Sequence, residues 1–302
     1  MTPETLANKE LKKVDFFKSI PEMFVRTSKK SVTEITDKKL NSQIVKKREA
    51  SLCTIMFIAD NADNTGNEKI RQSLKFSKTI QAFTFSFDQI CKISNLSSLN
   101  ETFKNLTLLK SLHFKFGKSL KITDHTLEQI SRLLKRLKFL NEIVFDINEY
   151  HELTDGKFQN LSQCLKRCVF PQKIELCFPF GLKITDVGLF YLSKSLKRLN
   201  SLQNVVLDFS YCHMITDKGL EDLSDGLGRL EHLQSLTLRL VRYNQITDKG
   251  LESLSETINK LTYLREIRLS SHGCTEITFL GEQKINKAID EHPSLRISFQ
   301  WF

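Results

Sequence analysis

The chain has 302 residues, 40% of them hydrophobic, and a formal net charge of +10. That length admits two ordinary globular domains or one extended array, with enough apolar residues for a sizeable core. No stretch approaches the roughly 18 to 20 unbroken apolar residues of a membrane helix. The first ten residues include Glu4 and Glu10 and lead into no apolar run, so no targeting signal is read and a cytoplasmic location is expected.

Residues 1–50 hold twelve Lys and Arg against seven Asp and Glu, a local +5 and half the excess charge. A basic balance favours acidic partners, nucleic acid or anionic protein surfaces, but surface lysine serves solubility equally well. Residues 1–34 fit no period. Phe16, Phe17, Ile20, Met23, Phe24 and Val25 read as an amphipathic plug over the first repeat, an N-terminal cap, with a partner-docking peptide as the alternative. Residues 35–121 are read as degenerate repeats. Ile35-Thr36-Asp37 opens a 29-residue unit, followed by units at 64–92 and 93–121. Their strand candidates are Ile55/Phe57, Phe83/Phe85/Phe87 and Leu112/Phe114/Phe116.

From residue 122 the period is strict. Ile122-Thr123-Asp124 recurs at Leu153-Thr154-Asp155, Ile184-Thr185-Asp186, Ile215-Thr216-Asp217 and Ile246-Thr247-Asp248, each 31 residues on, with a weaker copy at Ile277-Thr278-Phe279. Five regular repeats thus span 122–276, and 277–302 is a shortened C-terminal cap repeat. Within the third, Leu189, Leu192, Leu196, Leu199 and Leu202 follow helical spacing; Val205, Leu207 and Phe209 then alternate as a half-buried strand does. Each unit is therefore a helix followed by a strand, and the array totals nine parallel strands, ending at Leu295/Ile297/Phe299. One member of each Thr-Asp pair is expected to cap its helix, with the Asp charge suited to the helix N-terminus. Ser131, Ser162, Ser193, Ser224 and Ser255 hold one position per repeat, where a small side chain permits close helix packing. Phe299, Trp301 and Phe302 are expected to close the end of the array.

The strings ITDVGLFYLSKSLKRLNSLQNVVLDF and ITDKGLEDLSDGLGRLEHLQSLTLRL resemble the ribonuclease-inhibitor-like and cysteine-containing leucine-rich-repeat proteins, notably long protist repeats. The resemblance is clear over 122–302 and weaker over 35–121. It implies an α/β horseshoe of about eight or nine repeats in a domain spanning 35–302. Parallel strands would line the concave side and helices the convex side, with macromolecules bound on the concave face or its rim. The family's Asn after the strand is matched only by Asn244, against His151, Leu182, His213 and Thr275 elsewhere, so an irregular turn is expected.

Alternation places His113, Val144, Glu175, Val206, Thr237 and Arg268 in one outward row, and Lys115, Asp146, Cys177, Asp208, Arg239 and Ser270 in the next. The middle reads as acidic at Asp146, Glu175 and Asp208 and the C-terminal part as basic at Arg239, Arg265 and Arg268, a gradient able to orient a charged partner. Strand-exit loops carry Tyr150, Phe180, Tyr211 and Tyr243, binding anchors or seals of the core rim. The candidate partner-binding set is Val144, Asp146, Glu175, Val206, Asp208, Arg239, Arg268, Tyr211 and Tyr243. Arg136, Arg167, Arg198, Arg229 and Lys260 form a basic ladder late in the helices, joined by Lys135, Lys166 and Lys197. Complementing the helix dipole accounts for it; a phosphate-binding stripe is the alternative, without the interleaved aromatics expected for single strands.

The seven cysteines, Cys53, Cys91, Cys164, Cys168, Cys177, Cys212 and Cys274, show no pairing or zinc-site spacing, and no metal or cofactor is expected. No Gly-rich phosphate loop, HExxH, GxSxG or kinase signature occurs, so an enzyme is not expected. The reading is a protein-binding scaffold or adaptor, monomeric by itself and without a membrane partner. The alternatives are a substrate receptor of a ubiquitin-ligase complex, although 1–34 holds no F-box pattern, or a nucleic-acid-binding protein using the basic ladder. A nuclease inhibitor or GTPase activator fits the basic charge and the C-terminal sequence poorly.

Overall fold

The computed structural model describes residues 42–49, 52–59, 80–87, 103, 106, 108–116, 122–147, 153–243 and 245–301. The expected cap at 1–34 lies outside them, as do Tyr150, His151, Asn244 and Phe302. Ten strands form one sheet in sequence order: β1 (Ser42–Glu49), β2 (Leu52–Ala59), β3 (Ile80–Phe87), β4 (Ser111–Phe116), β5 (Glu142–Ile147), β6 (Lys173–Cys177), β7 (Asn204–Asp208), β8 (Ser235–Arg239), β9 (Glu266–Ser270) and β10 (Ile297–Trp301). From β4 onward each crossover runs through one helix: α1 (Asp124–Arg136), α2 (Asp155–Leu165), α3 (Asp186–Leu196), α4 (Asp217–Leu227), α5 (Asp248–Lys260) and α6 (Phe279–Asp290).

The 31-residue step keeps β4 to β9 in register. Leu112, Ile143, Ile174, Val205, Leu236 and Ile267 form one buried row, and Phe114, Phe145, Leu176, Leu207, Leu238 and Leu269 the next. Phe85, Phe114 and Phe145 stack at successive ring distances of 5.3 and 5.1 Å. The helices meet these rows with their own leucine stripes, such as Leu189, Leu192 and Leu196, all fully buried. No single unit can enclose its own apolar face, so burial comes from stacking neighbours.

Each helix begins at a threonine. Thr123, Thr185, Thr216, Thr247 and Thr278 accept a hydrogen bond from a first-turn backbone N–H. The aspartate that follows serves a different purpose from the local cap. Asp186 Oδ1 accepts from the Thr216 N–H at 2.8 Å while its Oδ2 accepts from the Thr216 hydroxyl at 2.8 Å. Asp155 does the same for Thr185, Asp217 for Thr247 and Asp248 for Thr278. This carboxylate ladder ties each helix start to the next. It also explains the glycine of the ITDxGL pattern: a Cβ at Gly188 would lie 2.8 Å from Asp155 Oδ1, and one at Gly250 would lie 2.6 Å from Asp217 Oδ1. Cβ atoms at Gly219 and Gly281 would overlap Asp186 and Asp248 in the same way. The second repeat has Lys157 at this position. There Asp124 accepts from Asn160 Nδ2 instead, and Thr154 makes no side-chain cap bond.

Small residues bring the helices together, as expected. Ser162, Ser193, Ser224 and Ser255 are buried, and a Cβ at Gly226 would lie 2.7 Å from Ser193 Cα. Ser131, the earliest copy, is half-buried.

Three expectations are corrected. Residues 42–49, placed by the sequence in the helical part of a repeat, form β1, which pairs antiparallel with β2; nine parallel strands, β2 to β10, follow it. This hairpin strand occupies the β2 edge that a first parallel strand would leave unpaired. At the other end, β10 sets Ile297, Phe299 and Trp301 opposite Glu266, Arg268 and Ser270. Those partners belong to the outward rows, so the register of β10 is one residue out of phase with the expected alternation. The third concerns the turn after the strand: those after β6, β7, β8 and β9 repeat one geometry in their described residues, with positive φ at Phe180, Tyr211, Arg242 and Gly273. Cys212 Sγ donates to the Phe178 carbonyl at 3.4 Å, Tyr243 Oη to Phe209 and Cys274 Sγ to Leu240 at 3.1 Å. In these three turns the inter-repeat bond is carried one residue before His213, Asn244 and Thr275.

Candidate functional site

The sheet face opposite the helices collects the outward rows. His113, Val144, Glu175, Val206, Thr237 and Arg268 are successive register partners, and so are Lys115, Asp146, Cys177, Asp208, Arg239 and Ser270. Seven of the nine candidate residues, Val144, Asp146, Glu175, Val206, Asp208, Arg239 and Arg268, thus share one surface. Val144 and Thr237 are buried within it; the others, apart from exposed Lys115, are half-buried.

A third row completes this face: Ser111, Glu142, Lys173, Asn204, Ser235 and Glu266. Its hub is Glu142, which accepts from Ser111 Oγ at 2.6 Å and Lys173 Nζ at 2.7 Å and lies 3.5 Å from His113 Nε2. The His113 imidazole first, then Lys173 and Ser111, hold the Glu142 carboxyl far below the usual range despite its burial. Asp146 shifts the other way. Burial raises its pKa, the Lys115 charge opposes this, and the Glu175 and Asp208 charges add to it. The expected acidic-to-basic gradient is partly closed by internal pairs. Arg239 Nη1 meets Asp208 Oδ2 at 3.2 Å, and Arg268 pairs with Glu266. The face thus carries internally paired charges.

The strand-exit rim is more distinctive. Phe180, Tyr211 and Arg242 occupy equivalent turns and all have positive φ, at 66°, 64° and 61°. The next copy is Gly273, at 76°. The Phe180 and Tyr211 rings stack at 4.4 Å and 14°, and the Arg242 guanidinium lies 5.8 Å from the Tyr211 centroid. Phe180 and Tyr211 are half-buried and Arg242 is exposed. Tyr211 therefore stands where the sequence places it, whereas Tyr243 does not reach the surface. Its side chain is fully buried, held by the Phe209 carbonyl, because it fills the turn position occupied by Cys212 and Cys274. Arg242 is the residue that sequence reasoning passes over. The signal is its 31-residue offset from Tyr211, which residue type obscures.

Three of the described thiols sit deep in the core. Burial pushes Cys164 up to about 11 and both Cys168 and Cys212 up to about 12, so they remain protonated donors and packing groups.

The family model for the leucine rich repeat matches residues 205–224 and 230–255. No curated protein matches the sequence significantly. Among solved structures, the chain is similar to human 5T4, a Wnt-activated inhibitory factor, at 11% identity and TM-score 0.47, over 80% of this chain and 84% of that one. It is similar to the Drosophila Toll–Spatzle complex at 12% identity and TM-score 0.43, over 87% of this chain and 35% of that one. Similarity to leiomodin-1 actin-binding site 2 reaches 18% identity and TM-score 0.35, over 43% of this chain and 70% of that one. The matched repeats, together with the alternation of parallel strands and helices, fit an α/β leucine-rich-repeat solenoid fold.

Proposed function

We propose that the protein is a non-enzymatic scaffold or adaptor that binds another protein through the open sheet face and its strand-exit rim. The observation that carries this reading is the backbone at Phe180, Tyr211 and Arg242. A bulky residue at positive φ costs on the order of 1 kcal/mol or more, and Gly273 occupies the equivalent turn one repeat later. Keeping large side chains at three such positions, stacked and accessible, makes sense if they are used for contact. Aromatic and arginine side chains are the residues that dominate binding energy in protein interfaces. The ordered charges at Asp146, Glu175, Asp208, Arg239 and Arg268 would set register and orientation, with Val144 and Val206 between them. The ITDxGL repeats, with Cys212 and Cys274 at the inter-repeat turn position, support a place among the cysteine-containing, ribonuclease-inhibitor-like class.

The test is affinity purification from native cells with nuclease treatment, comparing wild type with Phe180→Gly/Tyr211→Gly/Arg242→Gly. Glycine removes the side chains and accepts the backbone, so the variant should stay folded. A protein bound by wild type, resistant to nuclease and lost from the variant supports the reading. Retention of every nuclease-resistant partner by a folded variant overturns it.

A further inference from the structure

We propose that the opposite edge of the solenoid, where helices return to strands, is a peripheral docking surface for an anionic lipid bilayer. The turns preceding β4, β5 and β6 place Leu108, Phe139 and Phe170 three residues before the register partners Ser111, Glu142 and Lys173. Backbone bonds from Asn141 N–H to the Lys110 carbonyl and from Gln172 N–H to the Asn141 carbonyl, both 2.8 Å, stack these turns directly. At the usual strand spacing the three tips line up over about 10 Å. All are exposed: Leu108 by 48%, Phe139 by 68% and Phe170 by 67%, with Val169 beside them at 47%. Neighbouring apolar side chains this exposed mark an interaction site.

The same edge is strongly basic. The turn segments 106–110, 135–141, 166–172 and 197–203 contain Lys110, Lys135, Arg136, Lys138, Lys166, Arg167, Lys197 and Arg198 and no Asp or Glu. Lys197 is paired with Asp225, but among the described residues no carboxylate pairs with Lys166, Arg167 or Arg198. Burial and then the Arg198 and Lys194 charges lower the Lys166 pKa, as expected where cations crowd together. A polybasic cluster beside protruding apolar tips supplies both signals that peripheral attachment needs, insertion into the acyl boundary and attraction to anionic headgroups.

The alternatives fit less well. Single-stranded nucleic acid needs rings on which bases stack, yet two of the four apolar residues here are Leu108 and Val169, and the next turn carries Ser201 at the tip position. A peptide partner needs a groove, whereas these side chains stand out from turn apices. The expectation of no membrane partner rests on spanning segments. Among the described residues no helix is long and apolar enough to cross a membrane, which does not bear on surface docking.

The test is co-sedimentation of the full chain with vesicles of phosphatidylcholine alone, or of phosphatidylcholine mixed with phosphatidylserine, beside an oligouridine binding assay. Phe139→Ser/Phe170→Ser changes only exposed side chains, and its thermal midpoint is checked against wild type. The expected result is binding to the serine-lipid vesicles only, weakened by salt and by Lys166→Glu/Arg167→Glu. The double serine variant should bind about a hundredfold more weakly, a factor of roughly ten per ring. No binding to anionic vesicles, equal binding by the folded serine variant, or tighter binding of oligouridine that depends on the same residues would each overturn the proposal.

Discussion

Gly219→Ala separates two physical accounts of the repeat. On helix propensity alone, alanine inside α4 should stabilise the protein by up to about 1 kcal/mol. The carboxylate ladder predicts the reverse, because the new methyl group would occupy the space of Asp186 Oδ1. The carboxylate must then move, loosening its bonds to the Thr216 N–H and hydroxyl, each 2.8 Å long. Hydrogen bonds to a charged group contribute about 1.5 to 3 kcal/mol each, and these are half-exposed, so the lower end applies. Adding modest steric strain and subtracting the propensity gain leaves a net destabilisation of about 2 kcal/mol. Urea unfolding followed by circular dichroism reads the change, and the Asp186→Ala background isolates its origin. With the carboxylate gone, the cost of Gly219→Ala should fall by at least about 1 kcal/mol. Gly156→Ala is the control, since nothing lies within 4 Å of a Cβ there; it should be neutral or stabilising. Stabilisation by Gly219→Ala, or an equal cost in both backgrounds, would refute the ladder as the reason for this glycine.

Single groups give further predictions. Tyr243→Phe should cost about 1 kcal/mol in chemical denaturation, because the Phe209 carbonyl keeps its bond from the Cys212 N–H; Tyr243→Ala, which opens a cavity, should cost about 3 to 5 kcal/mol. Asp146 has a raised folded-state pKa, so its ionisation opposes folding: the penalty is absent below the ordinary carboxylate pKa and grows as pH rises through the folded one. Asp146→Asn should therefore raise the thermal midpoint at neutral pH and leave it unchanged in acid. Asp248 shifts downward, held first by the Thr278 hydroxyl and then by its N–H. Its contribution is present at neutral pH and fades as pH falls through the carboxylate range, so Asp248→Asn should lower the midpoint at neutral pH more than in acid.

The repeat was legible because its signals are local. Leucine spacing within one unit reports helix and strand, and the recurrence of Ile-Thr-Asp reports the period. What remained hidden depends on contacts between units. Asp186 acts on Thr216, thirty residues away, and only stacking brings them together. The same holds at the rim. Residue type groups Tyr243 with Tyr211, while the 31-residue register puts Arg242 beside Tyr211 and sends Tyr243 inward. The charged open-face positions emerged from alternation, but their pairing, such as Asp208 with Arg239, required knowing which strands are adjacent. The strand at 42–49 was obscured by the Ile35-Thr36-Asp37 motif before it, which suggests a helix that these residues do not form. The phase of β10 was readable, since Ile297 lies 31 residues after Glu266, yet its apolar residues suggest the opposite assignment.

The most direct test of the binding reading is hydrogen exchange on the purified complex with whichever protein partner the wild-type chain captures. The account predicts added protection in residues 173–180, 204–211 and 235–242, where the outward rows run into the Phe180–Tyr211–Arg242 rim. Protection confined to the helices α1 to α5, with these strand-exit segments unchanged, would contradict it.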